Sequence, residues 1–213
     1  MYTPPAFRED RPEILHALIR EARLALLVSN GAGGVPDVTH LPLTLDAGRG
    51  VLIGHLARAN PHWRALREAG RAVAVFRGAE GYVSPNWYPS KAETHRVVPT
   101  WNYEAVHAEG TVELIEDATR LLGIVSALTR EKEAAQPAPW AVADAPAEFV
   151  AAQLKGIVGF ELRIERLTGK RKLSQNRSAA DRDGAIAGLA GSEDGRDRAV
   201  AEAMREVAES RAT

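Results

Sequence analysis

The sequence predicts an α+β domain built around a small antiparallel β-barrel, and three observations predict it. About six strand-length runs, alternating or wholly apolar, follow one another at short spacing. The connections near Gly33 and Gly48 read as hairpin turns. Helical patterns are inserted between and after the strands, while GxGxxG and Walker signatures are missing, which disfavours a doubly wound parallel sheet. Residues 1–176 are expected to form the barrel domain with its peripheral helices, and residues 177–213 a polar, helical C-terminal extension.

In order, residues 1–9 are extended and Pro-containing, with Tyr2 and Phe7 as possible anchors. Asp10 with Glu13 has capping-box spacing, Pro12 suits a first helical turn, and Ile14, Leu15, Leu18, Ile19 and Ala22 make one helical face. Leu24 to Ser29 is a strand, closed by the turn cluster Asn30-Gly31-Ala32-Gly33-Gly34; Val38 to Leu45 is its hairpin partner, and Val51 to His55 the next strand. Asn60 is an N-cap residue and Pro61 fits the first helical position, so a helix runs from there to about Ala69 and stops at Gly70. Arg71 to Arg77 is apolar enough for a central strand. Val106, Ala108, Val112 and Leu114 alternate with His107, Glu109, Thr111 and Glu113. A helix follows over Asp117–Glu133, then a Pro/Ala loop at 134–146 and a short helix through Phe149 and Leu154. Ile157 to Leu167 is the cleanest strand, and a last helix near Arg196–Ser210 has a weak apolar face of Val200, Met204 and Val207.

Composition narrows the function. Apolar residues make up 45% and charged residues 26%, as in ordinary globular proteins, and the net charge of −1 offers no global pull toward nucleic acid or acidic membranes. The 22 Arg against 5 Lys are scattered and form no basic patch. With no Cys, disulfides, thiolate catalysis and Cys-ligated metals are excluded. The first residues lack the pattern of a signal peptide and no apolar run reaches about 18 residues, so a soluble, cytoplasmic protein is expected.

Three stretches carry candidate chemistry. The densest is Tyr82–Gly110, with two of the four Trp, three of the four Tyr, and Pro85, Pro89 and Pro99. It is either a rigid aromatic wall with polar tips or an aromatic core corner; as a wall, Trp87 and Trp101 would flank a planar ring while Tyr88 and Asn102 bond its edge, and Lys91 would add a cation. The second stretch is HLARANPHW, where a strand runs through a short loop into a Pro-started helix. Free backbone N–H groups, the helix dipole and the Arg58 fork suit a phosphate; the alternative is a well-capped surface helix. His40 and His55 are the histidines best placed to face a ligand, and a hydrogen-bonded structural role competes for both; no metal spacing is present. The third stretch is Lys170, Arg171 and Lys172 before Leu173-Ser174-Gln175-Asn176, a cluster that closes over an anion, reaches across a dimer, or simply caps a strand in solvent.

Taken together, HLP (40–42), GHLARANPHW (54–63), YVSPNWYPSK (82–91), VPTWNYEAVHAEG (98–110) and KLSQN (172–176) resemble the PaiB-type family, described as FMN-binding negative transcriptional regulators. The resemblance runs from the start to about Asn176. It implies an FMN-binding split β-barrel, a homodimer with flavin sites at the subunit interface, and a likeness to the pyridoxamine-phosphate oxidase superfamily. It also implies that the ARANP loop holds the flavin phosphate, and it makes His40, His55, Arg58, Asn60, Trp101 and the segment with Lys172, Ser174 and Gln175 pocket candidates. Asn86 stands where the family often has Ser, and the ETHR stretch before VVPTWNY departs from the common pattern.

Three functions follow as expectations. The first is a flavin-dependent redox protein, with FMN carrying the electron chemistry and no residue identified as a catalytic base. The second is a regulator acting through DNA or a protein partner, although no DNA-reading motif is visible. The third is a dimeric barrel that binds haem or has lost its cofactor, with the aromatic wall serving as subunit contact.

Overall fold

A computed structural model describes residues 1–31 and 34–210. Ala32 and Gly33 of the expected glycine turn lie outside the described residues. The chain divides into two compact units. The first is Met1–Ala22, Phe76–Val106 and Thr168–Thr213; the second is Arg23–Val75 and His107–Leu167.

Eight strands form one antiparallel sheet: β1 (Arg8–Glu9), β2 (Ala25–Ser29), β3 (Asp37–Leu41), β4 (Thr44–Asp46), β5 (Val51–Ala57), β6 (Arg71–Val83), β7 (Thr100–Ile115) and β8 (Ile157–Lys172). The order is β3-β2-β6-β7-β8-β5-β4, with β1 also on β8. Among the described residues no ladder joins β3 to β4, so the sheet is open, as in a split barrel. Sequence periodicity yields about six strands rather than eight because two-residue β1 is too short to show a pattern and one expected run splits in two. Pro42 has no N–H to give a ladder, and the run expected as a single hairpin arm breaks there. β3 stays paired with β2 (Leu26 opposite His40), whereas β4 pairs with β5 (Leu45 opposite Leu52).

In the second unit, β5 and β8 lie in register from Val51 opposite Arg163 to Ala57 opposite Ile157. Leu52, Leu56, Val158, Phe160 and Leu162 from this pair are buried, as is Leu66 of α2 (His62–Ala69). Gly70 ends α2 with φ 62° and its N–H on the Leu66 carbonyl, a left-handed conformation that glycine adopts at little cost. α4 (Ala118–Glu133) starts at Asp117, whose side chain accepts the Arg120 N–H. Only Leu121 of its apolar stripe is buried. α5 (Ala147–Leu154) buries no residue, and Phe149 is exposed.

In the first unit, α1 (Pro12–Glu21) buries Leu15, Leu18 and Ile19, the face expected from spacing. Its start is not the expected capping box: Asp10 makes no cap, and the helix begins from Arg11, whose N–H and guanidinium are both taken by Glu9. α3 (Ser90–Thr94) turns the chain after Trp87, ending at His95 with φ 55°. α6 (Ala179–Ala190) and α7 (Gly195–Glu209) then pack on each other and on Val83, Tyr88 and Leu173. The expected weak face of the last helix is therefore a full core face: Val200, Met204 and Val207 are buried, joined by Ala201 and Ala203. Alanines carry little signal in a periodicity count, yet they let the two helices approach closely.

Candidate functional site

The β5–α2 turn is the most elaborated corner of the second unit. The Asn60 N–H bonds the Ala57 carbonyl, and the Asn60 amide oxygen receives the His62 N–H at 3.0 Å. Asn60 thus acts as a cap, with the helix starting one residue later than Pro61 at its first position requires. Its Nδ2 donates to Thr39 Oγ1 at 3.1 Å. His62 is buried between two hydroxyls, with Thr39 Oγ1 at 2.7 Å from Nδ1 and Ser29 Oγ at 3.0 Å from Nε2. Burial holds its pKa below the usual imidazole value, with Asp37 pulling weakly the other way.

Arg58 holds this turn to the sheet. Its guanidinium donates to the carbonyls of Lys155 and Ile157 and to Glu116 at 2.8 Å, and its own carbonyl accepts from Trp63 Nε1 at 2.9 Å. The expected phosphate fork is thus engaged within the chain. Trp63, unremarked in the sequence, carries the Arg64 and Arg67 guanidiniums over its ring at 4.6 and 4.9 Å. Arg67 is paired with Glu116, whereas the Arg64 guanidinium has no hydrogen-bond or ion-pair partner among the described residues. Arg64 is therefore the available cation of the first helical turn. The signal that could have found it was position alone, three residues after Pro61.

His55 lies half-buried on β5 opposite Gly159, and its Nδ1 is buried with no hydrogen-bond partner. Desolvation lowers its pKa, so the imidazole is neutral and its orphan nitrogen wants a partner. His40, on edge strand β3, is exposed.

The first unit sends the aromatic stretch two ways. Trp87 sits in a short 3-10 turn (Pro85–Trp87) and lies against α6, so closely that a Cβ on Gly188 would come within 2.3 Å of its ring. Asn102 is buried with Ser174, 3.0 Å from Nδ2 to Oγ, and its Nδ2 also reaches Met204 Sδ at 3.3 Å. Lys91 is exposed and bonded to Asn86. Trp101 faces outward, 49% exposed, edge-on to Tyr82 at 6.3 Å between ring centres. Lys172 Nζ holds the Trp101 carbonyl and Thr100 Oγ1.

The basic run lies inside β8 and is no solvated cap: Lys170 and Arg171 are buried. Lys170 Nζ donates to the Tyr2 carbonyl and lies 5.1 Å from the Tyr103 ring centre. Arg171 bridges buried Glu104 at 2.5 Å and Glu206 of α7 at 2.9 Å. After it, Ser174 takes φ 64°, and Gln175 closes the turn by accepting from the Leu173 N–H and donating to the Arg171 carbonyl.

Within the second unit, a buried imidazole nitrogen without a partner and an arginine at a helix start suit the phosphate end of a cofactor; the first unit, taken by itself, offers an outward indole suited to a planar ring. The family described as "Putative FMN-binding domain" matches residues 1–166. The protease synthase and sporulation protein PAI 2 of Bacillus subtilis is 31% identical over 209 residues, 97% of each chain. An uncharacterized protein of Emericella nidulans is 34% identical over 226 residues, covering 89% of this chain and 90% of its own. Among solved structures, the FAD and heme binding protein from Mycobacterium smegmatis superposes with a TM-score of 0.60 at 20% identity, over 87% of this chain and 80% of that one. The flavocytochrome Anf3 from Azotobacter vinelandii does so with a TM-score of 0.57 at 16% identity, over 78% and 69%.

Proposed function

The chain belongs to this FMN-binding domain family, and from that premise we propose that it binds FMN, as a homodimer, and acts as a flavin-dependent redox or regulatory protein. The observation that carries the reading is the β5–α2 turn of the second unit. There a buried, unpartnered His55 Nδ1 precedes a helix start whose Arg64 guanidinium has no ion-pair partner among the described residues. FMN would bring the electron chemistry of its ring when bound.

The chain's own residues would hold and shape it. Arg64 and the α2 dipole suit the phosphate, and Arg58 acts one step back by fixing the turn to β8 and Glu116. Neutral His55 offers one ring nitrogen as a hydrogen-bond partner, and burial keeps it from competing as a second cation. The first unit, by itself, carries an exposed indole at Trp101, and Lys172 keeps that strand end in place through the Trp101 carbonyl. Exposed Val38 in the second unit, with Leu122, Trp140 and Phe149 around α4 and α5, supports a surface covered in a dimer.

The test is the visible spectrum of the purified protein, followed by FMN titration of the apoprotein. Flavin bands near the blue and near-ultraviolet are expected, and Arg64→Ala is expected to weaken FMN binding at least tenfold, the order of a lost charge-assisted bond, with the melting temperature unchanged. A protein that neither carries nor takes up FMN would sink the proposal; a Soret band in its place would point to haem. Regulation through direct DNA binding predicts a specific promoter shift that weakens steeply with salt, and no shift would leave only an indirect route.

A further inference from the structure

Arg177 and Tyr88 in the first unit are left with unmatched donors, and the flavin reading uses neither. Tyr88 is 2% exposed, yet its hydroxyl is buried with no hydrogen-bond partner. The Arg177 guanidinium lies over the Tyr88 ring at 4.9 Å and forms no ion pair within salt-bridge distance among the described residues, Asp181 acting on it through space. Its placement is built into the backbone. Ser174 turns with φ 64°, the Arg177 N–H closes on the Ser174 carbonyl at 3.0 Å, and Ser178 then caps α6. A guanidinium fork and a phenol are thereby gathered with Asp181 as the nearby carboxylate that acts on both.

Lys172 belongs to the same neighbourhood. Two of its three donors are on Thr100 Oγ1 and the Trp101 carbonyl, so one remains open. Burial lowers its pKa first, and repulsion from Lys170 and Arg177 lowers it further, the mark of positive charges lacking a counter-ion. Asp181 is the carboxylate that acts on Arg177, and each of its oxygens already accepts from Ser90, one from the N–H at 3.1 Å and one from the hydroxyl at 2.7 Å; Lys170 is occupied by Tyr2 and Tyr103. The Ser174 hydroxyl is shared with Asn102.

We propose that Arg177 and the Tyr88 hydroxyl form a binding site for an oxyanion, the carboxylate or phosphate group of a small ligand. One oxyanion satisfies the guanidinium fork and the orphan phenol together. Arg177 covers the phenol ring, so it is also the group that must shift to admit the ligand to the hydroxyl.

The experiment uses the full-length protein, its flavin content recorded from the visible spectrum. Inorganic phosphate and, separately, acetate are titrated at constant ionic strength and followed by calorimetry. Saturable binding of at least one anion is expected. Arg177→Gln is expected to weaken it about tenfold or more, as for a lost charge-assisted bond. Tyr88→Phe is expected to weaken it about threefold, the effect of one neutral hydrogen bond, while the anion-free melting point holds or rises because an orphan donor has been removed. No saturable binding of either anion, or unchanged affinity in both variants, overturns the proposal. FMN titration of the same variants separates the sources. If Arg177→Gln also loses FMN and bound FMN blocks phosphate, the oxyanion is the flavin's own; if FMN binding is unchanged, it belongs to a second molecule. Anion binding in a protein that takes no FMN would remove the flavin reading and leave this site standing.

Discussion

Trp101 and Asn102 are neighbours in β7 with opposite surroundings, which makes them a matched pair of probes. Asn102 is fully buried between Ser174 and Met204, so Asn102→Ala leaves the Ser174 hydroxyl short of a partner and opens space beside a thioether. A loss of about 1–3 kcal/mol in urea unfolding is expected. Trp101→Ala removes an exposed ring and should move stability by under about 0.5 kcal/mol, so weaker FMN binding in that variant would report on the site alone. Glu104 is a different case. It is the counter-charge of buried Arg171 and also accepts the Ala79 N–H, and burial raises its pKa against the pull of Arg171. Glu104→Gln leaves Arg171 with the exposed Glu206 as its remaining counter-charge, and a loss of about 1–3 kcal/mol is expected from the same unfolding measurement. His55, His62 and His107 together set the histidine part of the pH response. All three are held neutral by burial, with folded pKa values below the ordinary 6.5. The unfolded chain then takes up protons first, so their contribution is complete above pH 6.5 and is lost as pH falls through the folded values. Urea midpoints should decline from pH 7 to pH 5, and His62→Gln should flatten that decline. Sequence pattern could point to Asn60 because its cap lies within two residues of it. It could not point to His62, whose partners Ser29 and Thr39 are brought near only by the β2–β3 pairing.

At the scale of elements, legibility follows how local the determining contacts are. The β5–α2 transition could be read because strand end, cap and proline are adjacent in the chain, and Gly70 marks the stop. The Lys170–Lys172 run could not be assigned to a strand, because three cations look solvated until Glu104, Glu206, Tyr2 and Trp101 are gathered around them from elsewhere. The same holds for the aromatic stretch: nothing local separates Trp87, which α6 covers, from Trp101, which stays 49% exposed with Tyr82 at its edge. The α6–Trp87 contact gives a sharp prediction. Gly188 lets the indole lie against the helix, and the methyl of Gly188→Ala would fall 2.3 Å from a ring atom. Although alanine favours helix, the variant is expected to be destabilised by about 1–3 kcal/mol through overpacking. If instead it gains stability, α6 does not sit on Trp87 as described.

For the whole molecule, the open antiparallel sheet gives the fold, and family membership gives the flavin expectation; neither gives the energetics, which linkage supplies. A ligand that binds only the folded chain stabilises it by about 2.7 kcal/mol at one hundred times its dissociation constant. For a protein of 213 residues each kcal/mol moves the midpoint by roughly 2–4 °C, so saturating FMN should raise the melting temperature by about 5–10 °C. If FMN sits where two copies meet, as the family resemblance implies, the rise should come with association: sedimentation at low micromolar concentration should show a larger dimer fraction with FMN than without. A monomer stabilised to the same extent would place the whole flavin contact within one chain. It would also leave Val38, Leu122, Trp140 and Phe149 needing some other cover. Because the net charge is only −1, long-range repulsion between copies is weak, and the dimer should be insensitive to salt over the range where phosphate-driven DNA binding falls steeply. Measured on one preparation, those two salt responses distinguish a protein that regulates by gripping DNA from one that acts through its flavin or a protein partner.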